Sequence, residues 1–339
     1  MKRFFAILGA ALFLANSGAF AEQATLIDFS KLIGEGDAGL HKQTTIDYSR
    51  QAGSAYSAED KSKMKISLAI PSWEIQLASS SQTVENQTLS QITAAPVKQD
   101  AAKFGGDTVM GVRIHFPSYG VNSYAVIKPP FTIPAYATLD GDQNAKVGSQ
   151  FDNFGVLKNV GVIKSIQVNI LGRNYSNSIS LLLENENGEE QEIFMGYLNF
   201  DGWKALQWNN PNYQTEVRNR DVKIIPLYPR SAPFIKLKGI VIHRDAAQDG
   251  GDIVSYIHDI KVIYDQAVVD RNSDVDDEAI WGILKQREEA QRNFELAKLG
   301  NLQVLRALET KKMAKESTFD QPAAAAAAAT TPAATAAKP

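Results

Sequence analysis

The sequence contains no cysteine among its 339 residues. No disulfide framework can therefore hold the fold, and neither a thiolate metal site nor a cysteine nucleophile is available. A hydrophobic core must stabilise the chain instead, and a chain of this length is long enough to bury one.

Histidine is also scarce. The four histidines, His41, His115, His243 and His258, do not share a metal-binding spacing. His115 alternates with apolar neighbours and is expected to be exposed. His258 falls on the same alternating positions as Tyr256, Ile260 and Val262, so a hydrogen-bonded, partly buried histidine is expected there.

Catalytic motifs are missing as well. There is no Gly-x-Ser-x-Gly turn, no His-Glu-x-x-His pair and no phosphate-binding glycine loop. The carboxylate pairs Glu189-Glu190 and Asp276-Asp277 flank a turn and a helix start, not a dry pocket that would raise a pKa for acid catalysis. The sequence therefore predicts no enzyme activity, no metal ion and no cofactor.

Net charge is small, with 35 basic and 38 acidic residues. Removing Lys2 and Arg3 with an N-terminal leader would leave 33 basic residues and a net charge near −5. This balance predicts no nucleic-acid partner.

Only one apolar run is long, and it lies at the N-terminus. Met1-Lys2-Arg3 precedes an apolar segment at residues 4–15, and Ala19-Phe20-Ala21 follows it. This pattern is typical of a secretory signal peptide cleaved after Ala21, since a membrane anchor needs ~20 apolar residues. Residues 1–21 are therefore expected to be removed, and the mature protein to be exported without membrane insertion.

Apolar residues then recur with a period of two, which indicates half-buried β-strands. The clearest runs start at Met110, Ile166, Ile179, Ile235 and Ile253, and Asn187-Gly188 marks a hairpin. Residues 22–272 are therefore predicted to form a mainly β domain, an antiparallel β-sandwich of the jelly-roll type. Two polar or glycine-rich insertions, residues 84–105 and 129–154, are predicted to be surface loops.

The composition changes after residue 272. Acidic residues precede Ala279, as a helix N-terminus favours, and good helix formers continue to about Lys315. Residues 273–316 are predicted to form an exposed helix, or two helices hinged near Gly300. Residues 317–339, rich in Ala, Pro and Thr, are predicted to be a disordered tail.

The helix has a weak, interrupted apolar stripe that needs a surface to cover. Its members are Ile280, Ile283, Leu284, Phe294, Leu302, Leu305 and Leu308. That surface is either the protein's own sandwich or a neighbouring subunit. The subunit is preferred, because the strands that end at Tyr264 are expected to complete the sandwich without the helix.

Aromatic residues concentrate between Met195 and Tyr213. Tyr197, Phe200, Trp203, Trp208 and Tyr213 either form a platform for sugar rings or fill the core and its rim. Alternation favours the core for Leu198, Phe200, Leu206 and Trp208. Trp203 follows a glycine at a predicted turn and fits either interpretation.

Three segments, residues 163–188, 198–208 and 252–262, resemble galactose-binding-like and carbohydrate-binding-module jelly rolls. A more specific resemblance runs from Thr25 to Trp281. Its motifs are the segments 106–117, 122–129, 171–175, 195–213, 226–230 and 276–281. In these motifs the chain resembles the spirochaete flagellar filament outer-layer (sheath) proteins, the FlaA family.

This resemblance implies a structural, non-enzymatic subunit in the periplasm. Its implied partners are the flagellin core subunits, other sheath proteins and further copies of itself, with an effect on filament shape and stiffness. The alternatives are a periplasmic carbohydrate-binding module and a glycosidase-like enzyme. The residues chosen as a candidate interaction surface are Trp203, Tyr213, Arg113, His115, Ile280, Trp281 and Leu284.

Overall fold

A computed structural model describes residues 22–139, 142, 144–216, 231–267 and 274–316. The predicted signal peptide, the predicted tail and the motif at 226–230 lie outside these residues. In chain order the strands are β1 (Glu22–Asp28), β2 (Ile46–Asp47), β3 (Lys65–Ile66), β4 (Glu74–Leu77), β5 (Gln91–Pro96), β6 (Thr108–Phe116), β7 (Ser123–Lys128), β8 (Val156–Lys158), β9 (Val160–Arg173), β10 (Ser178–Asn185), β11 (Glu190–Tyr197), β12 (Asp201–Asn209), β13 (Phe234–Arg244) and β14 (Gly251–Gln266).

Two six-stranded antiparallel sheets contain nearly all of these strands. The first has the order β12-β9-β14-β6-β5, with β1 on the second half of β14; the second has the order β11-β10-β13-β7-β4, with β8 on β13. Strands β6, β7, β9 and β10 alternate between the two sheets along the chain. The predicted antiparallel sandwich of the jelly-roll type is therefore confirmed.

The core lies between the two sheets and follows the predicted alternation. On β6, Met110, Val112, Ile114 and Phe116 are all buried, and on β9 so are Ile166, Val168 and Ile170. Burial of these large side chains stabilises the fold in the absence of disulfides. Each fully buried side chain contributes about 1.5–3 kcal/mol to the free energy of unfolding.

A β-bulge in β14 changes which residues share a face. The register with β9 shifts between Ile257 and Asp259, so His258 is the extra residue. Ile260 and Val262 point into the core, whereas Tyr256 is half-buried on the opposite, outer face. The expectation that His258 shares one face with all three residues is therefore wrong, because a bulge breaks the two-residue period.

Both predicted surface loops are wrong as well. Residues 84–105 contain the short helix α2 (Val84–Leu89), which follows α1 (Ala58–Ser62), and the edge strand β5. In residues 129–154, Phe131, Ile133, Ala135, Ala137 and Phe151 are buried in the core. Phe131, Ile133, Ala135 and Ala137 are spaced by two, but Pro134 interrupts the run and two of the four are small alanines, so the sequence favours a loop over a strand here.

Two helices complete the described chain, α3 (Asp277–Trp281) and α4 (Ile283–Glu316). The break between them is at Gly282, which has a φ of 57° and caps α3 in the left-handed conformation. Of the two alternatives for residues 273–316, the one with a hinge near Gly300 is wrong, since α4 runs through it. A Cβ on Gly300 would lie 2.6 Å from the Gln51 side chain, so glycine allows the close approach of α4 to residues 49–52. None of the helices in the described part of the chain is both long and apolar enough to span a membrane.

Candidate interaction surfaces

A cluster of polar and aromatic side chains surrounds the β14 bulge on the outer face of the first sheet. We call it the bulge cluster: Phe104, Asp107, Trp203, His258 and Asp259. The His258 Nδ1 atom lies 2.8 Å from Asp259 Oδ2, and its Nε2 atom lies 3.2 Å from Asp107 Oδ2. The Phe104 ring stacks on the imidazole and meets Trp203 edge-on, with centroids 4.9 Å apart.

His258 and Asp259 in the bulge cluster each shift the pKa of the other. Burial by itself lowers the pKa of His258, but hydrogen bonds to Asp259 and Asp107 outweigh it and hold the pKa above its ordinary value. Burial likewise opposes ionisation of Asp259, yet bonds from His258 and Asn169 hold the pKa of that carboxyl below its ordinary value. The cluster thus joins the β5–β6 loop to β14 through an imidazole with a carboxylate on each side.

Arg113 and His115 lie on the same outer face as Trp203, on β6. Arg113 Nη2 donates to Asp252 Oδ2 at 2.6 Å, and His115 Nδ1 lies 2.8 Å from the other oxygen of that carboxylate. The hydrogen bond from Arg113 is the main reason that the pKa of Asp252 is low. These residues form a partly exposed, charged rim across the ladder between β6 and β14. The His115 side chain is 24% exposed, so it is half-buried and not exposed as expected.

Tyr213 lies elsewhere, beyond the end of β12. Its hydroxyl donates to Asp265 Oδ2 at 2.9 Å, and the Lys164 ammonium sits 5.7 Å from its ring centroid. It is half-buried and fastens the segment after β12 to the end of β14, so it does not extend the surface that contains Trp203.

The five aromatics that were candidates for a sugar platform do not form one surface. Trp203 faces outward from the first sheet, while Phe200 and Trp208 pack against the core from their partly buried positions. Tyr197 is exposed on β11 of the second sheet, where its ring meets Phe194 edge-on at 5.4 Å. The core interpretation is confirmed for Leu198 and Leu206, which are buried.

The C-terminal helix α4 packs one face on its own domain. Leu296 and Leu299 join the sandwich core, and Val304 packs on a small cluster formed by Tyr48, Ala52 and Met64. Beyond them, Arg306 Nη1 donates to the Pro130 carbonyl at 2.8 Å, and Lys311 pairs with Asp60 at 3.1 Å. This face of α4 therefore covers the protein's own domain, which is the first of the two alternatives and not the preferred contact with a neighbouring subunit.

A buried charge pair anchors the middle of α4. Lys236 Nζ of β13 lies 3.6 Å from Glu295 Oε1 and 3.7 Å from Glu184 Oε1, and the Tyr136 amide donates to Glu295 Oε2 at 3.1 Å. Burial raises the pKa of Glu295 despite the nearby ammonium. Removing Lys236 would leave both carboxylates without this ammonium, and removing Glu295 would leave Lys236 with Glu184 as its carboxylate partner. Breaking a buried charge pair in this way is costly.

The opposite face of α4, together with α3, is exposed. Trp281 is 65% exposed, Ile280 61% and Phe294 62%. Leu284 is only 6% exposed, so its place in the candidate interaction surface is wrong: it lies on the docked side of the helix. Ile280 and Trp281 remain available for contact.

Sequence reasoning missed Phe104, Asp107, Lys236 and Glu295. No local pattern singles them out, because each acts through a partner far away in the chain. A sequence signal for the bulge is the change of phase along β14, where Ile253 and Ile257 fall on odd positions but Ile260 and Val262 on even ones. Within the described residues, no three or more His, Asp or Glu side chains are placed to hold a metal ion.

The comparisons with known proteins decide the family. Residues 37–273 match the family described as FlaA, flagellar filament outer layer protein. The chain belongs to this family. It is 83% identical over 341 residues to the flagellar filament outer layer protein of Spirochaeta aurantia, an alignment that covers 100% of this chain and 98% of the relative. The resemblance drawn from the FlaA motifs is therefore confirmed.

A more distant relative has the same name. The chain is 40% identical over 332 residues to the flagellar filament outer layer protein of Treponema pallidum (strain Nichols), covering 92% of this chain and 95% of the relative. Among solved structures it is similar to TmCBM61 in complex with beta-1,4-galactotriose, at 9% identity and a TM-score of 0.28 over 57% of this chain and 88% of that one. So low a score supports no inference about a ligand.

Proposed function

We propose that this protein is a structural subunit of the outer layer of a periplasmic flagellar filament. In this role it coats the flagellin core and tunes the shape and stiffness of the filament, without catalysis. The observation that carries the proposal is the 83% identity, over the full chain, to a flagellar filament outer layer protein.

The structure supports this role physically. A coat subunit needs a stiff body and separate surfaces for different neighbours. Close-packed protein interiors resist deformation, and the core here joins both sheets to α4. The outer face of the first sheet, with Arg113, His115 and Trp203, and the exposed face of α3 and α4 are two such surfaces.

The proposed partners are flagellin core subunits, other sheath proteins and neighbouring copies of the same chain. The charged rim of Arg113, His115 and Asp252 suits a polar partner surface, because exposed charges mainly set specificity and association rate. The apolar side chains Ile280 and Trp281 suit a contact that excludes water.

The proposed location is the periplasm, after export and removal of residues 1–21. Sequencing the mature protein from cells should then give Glu22 as the first residue. A mature protein that still began at Met1 would contradict this route.

The deciding experiment is immunoelectron microscopy of isolated periplasmic flagella with antibody against this protein. Label along the sides of the filaments is expected. Label confined to the cell body, or to one filament end, would contradict a coat function. Flagella from a strain that lacks this gene serve as the control for antibody specificity.

A further inference from the structure

The exposed face of α4 carries a second apolar stripe, distinct from the docked one. At about 100° per residue, positions spaced by three or four from Ile283 to Lys312 fall on one face about 80° wide. Its large apolar members are Ile283, Phe294, Leu305 and Leu308, all exposed. We call this face the helix stripe. Nothing within the described chain covers it.

Large and small residues are distributed along the helix stripe in a way that fits a second copy of itself. Across an antiparallel helix pair, the residue numbers of opposite positions have a constant sum. If Ile283 lies opposite Leu308, then Phe294 lies opposite Ala297, and Ala290 opposite Asn301. The Phe294 ring of each copy thus meets the small, exposed Ala297 of the other, once on each side of the two-fold axis.

The charges at the helix ends favour the same orientation. The Glu278 carboxylate accepts hydrogen bonds from the Leu284 and Lys285 amides, at 3.1 and 3.0 Å, so negative charge is fixed at the start of α4. Lys312 is exposed near its end. In the antiparallel register Lys312 lies opposite residue 279, beside Glu278 of the other copy. A parallel pair would place Lys312 against Lys312.

We propose that two copies of this protein pair antiparallel through the helix stripe of α4, with Phe294 seated on Ala297 of the second copy. The isologous contact is the kind that a two-fold axis generates. This inference rests on the proposed function, because it names the neighbouring subunit that an outer layer supplies. The pairing itself can be measured in solution.

Cysteine cross-linking tests the register directly, since the chain has no cysteine of its own. Two full-length mature variants are made, Ile283→Cys and Leu308→Cys, and oxidised mildly, alone and mixed. The mixture is expected to form a disulfide-linked dimer, and neither variant alone. Val84→Cys, an exposed position on α2, mixed with either variant measures random collision.

Two further changes test the packing and the charges. Phe294→Glu in both cysteine variants should abolish the cross-link, whereas the matched change Val84→Glu, also at an exposed apolar helix position, should leave the yield unchanged. Lys312→Glu should lower the yield, and Lys312→Arg should preserve it. These side chains are exposed, and an unchanged melting midpoint confirms that each variant folds.

Three outcomes overturn the inference. Cross-linking of Ile283→Cys alone and of Leu308→Cys alone would show parallel pairing. Absence of any cross-link above the collision control would show that the stripe faces a different partner or none. Persistence of the cross-link with Phe294→Glu would show that the stripe is not the contact. If filaments are not decorated but the mixed cross-link forms, the coat function fails and the pairing stands.

Discussion

The ring of Phe104 lies over the imidazole of His258, with centroids 3.8 Å apart and planes inclined by 23°. Phe104 holds this position at a φ of 58°, a left-handed conformation that is strained for a bulky residue. The stacking therefore comes with a strained backbone in the loop before β6.

Replacing Phe104 by alanine and by glycine separates these two effects. Both changes lose the stacked ring, but only glycine relieves the backbone strain, which is worth about 1 kcal/mol. Phe104→Ala is expected to lower the free energy of unfolding by about 1–2 kcal/mol, and Phe104→Gly by about 1 kcal/mol less. Urea unfolding measures both; equal losses would show that the loop is not strained.

The stability of the protein should depend on pH through His258. Its pKa in the folded state is raised by Asp259 and Asp107, so its contribution is fully present below the unfolded pKa of about 6.5. That contribution is lost as pH rises through the folded pKa. As pH rises above about 6.5, the melting midpoint is therefore expected to fall more steeply in the native protein than in His258→Gln.

The comparison with the variant matters because His41 also makes the stability depend on pH, at and below its ordinary pKa of about 6.5. Burial lowers the pKa of His41, which gives the opposite sign, but that contribution is the same in both proteins. Parallel pH profiles for the native protein and His258→Gln would refute a charged His258 in the bulge cluster.

Gly300 offers a test of the close approach between α4 and residues 49–52. Alanine is favoured over glycine inside a helix by about 1 kcal/mol, but its Cβ must displace the flexible Gln51 side chain. Gly300→Ala is therefore expected to be nearly neutral by itself. In a Gln51→Ala background the same change should stabilise by up to about 1 kcal/mol, and a double-mutant cycle measures this coupling.

Removing the C-terminal helices should weaken the domain. A chain that ends at residue 271 loses Leu296, Leu299 and Val304 from the core and leaves Lys236 without Glu295. Its free energy of unfolding is expected to fall by about 2–4 kcal/mol relative to a chain that ends at residue 316. Equal stability of the two chains would show that α4 only rests on the surface.

Trp208 is half-buried and packs on the core. Trp208→Ala is expected to lower the free energy of unfolding by about 2–3 kcal/mol, below the ~3–5 kcal/mol of a fully buried tryptophan. The matched change Trp203→Ala removes a tryptophan from the outer face. Calorimetry of both variants should show a larger loss for Trp208→Ala, and the reverse order would contradict the assignment of faces.

The sequence by itself determined the strands whose two faces differ. Apolar residues alternate from Met110 to Phe116 on β6 and from Ile166 to Ile170 on β9. This alternation is local in the sequence, so it predicts which face of each strand is buried. The long motifs between Gly106 and Trp281 determined the family, because residue identity in fixed order needs no coordinates to be recognised.

Only the tertiary structure decided the rest, since it depends on partners distant in the chain. The bulge at His258 follows from the strands that pair with β14. Residues 131–137 alternate with a period of two, but Pro134 argues against a strand, so only their contacts with the core show that they are buried. The same holds for α4. Its docked stripe contains Leu299 and its exposed stripe contains Phe294, and the two stripes lie on nearly opposite sides of the helix. Apolar residues on two sides weaken the amphipathic pattern in the sequence, so only the contacts with the sandwich show which side is buried.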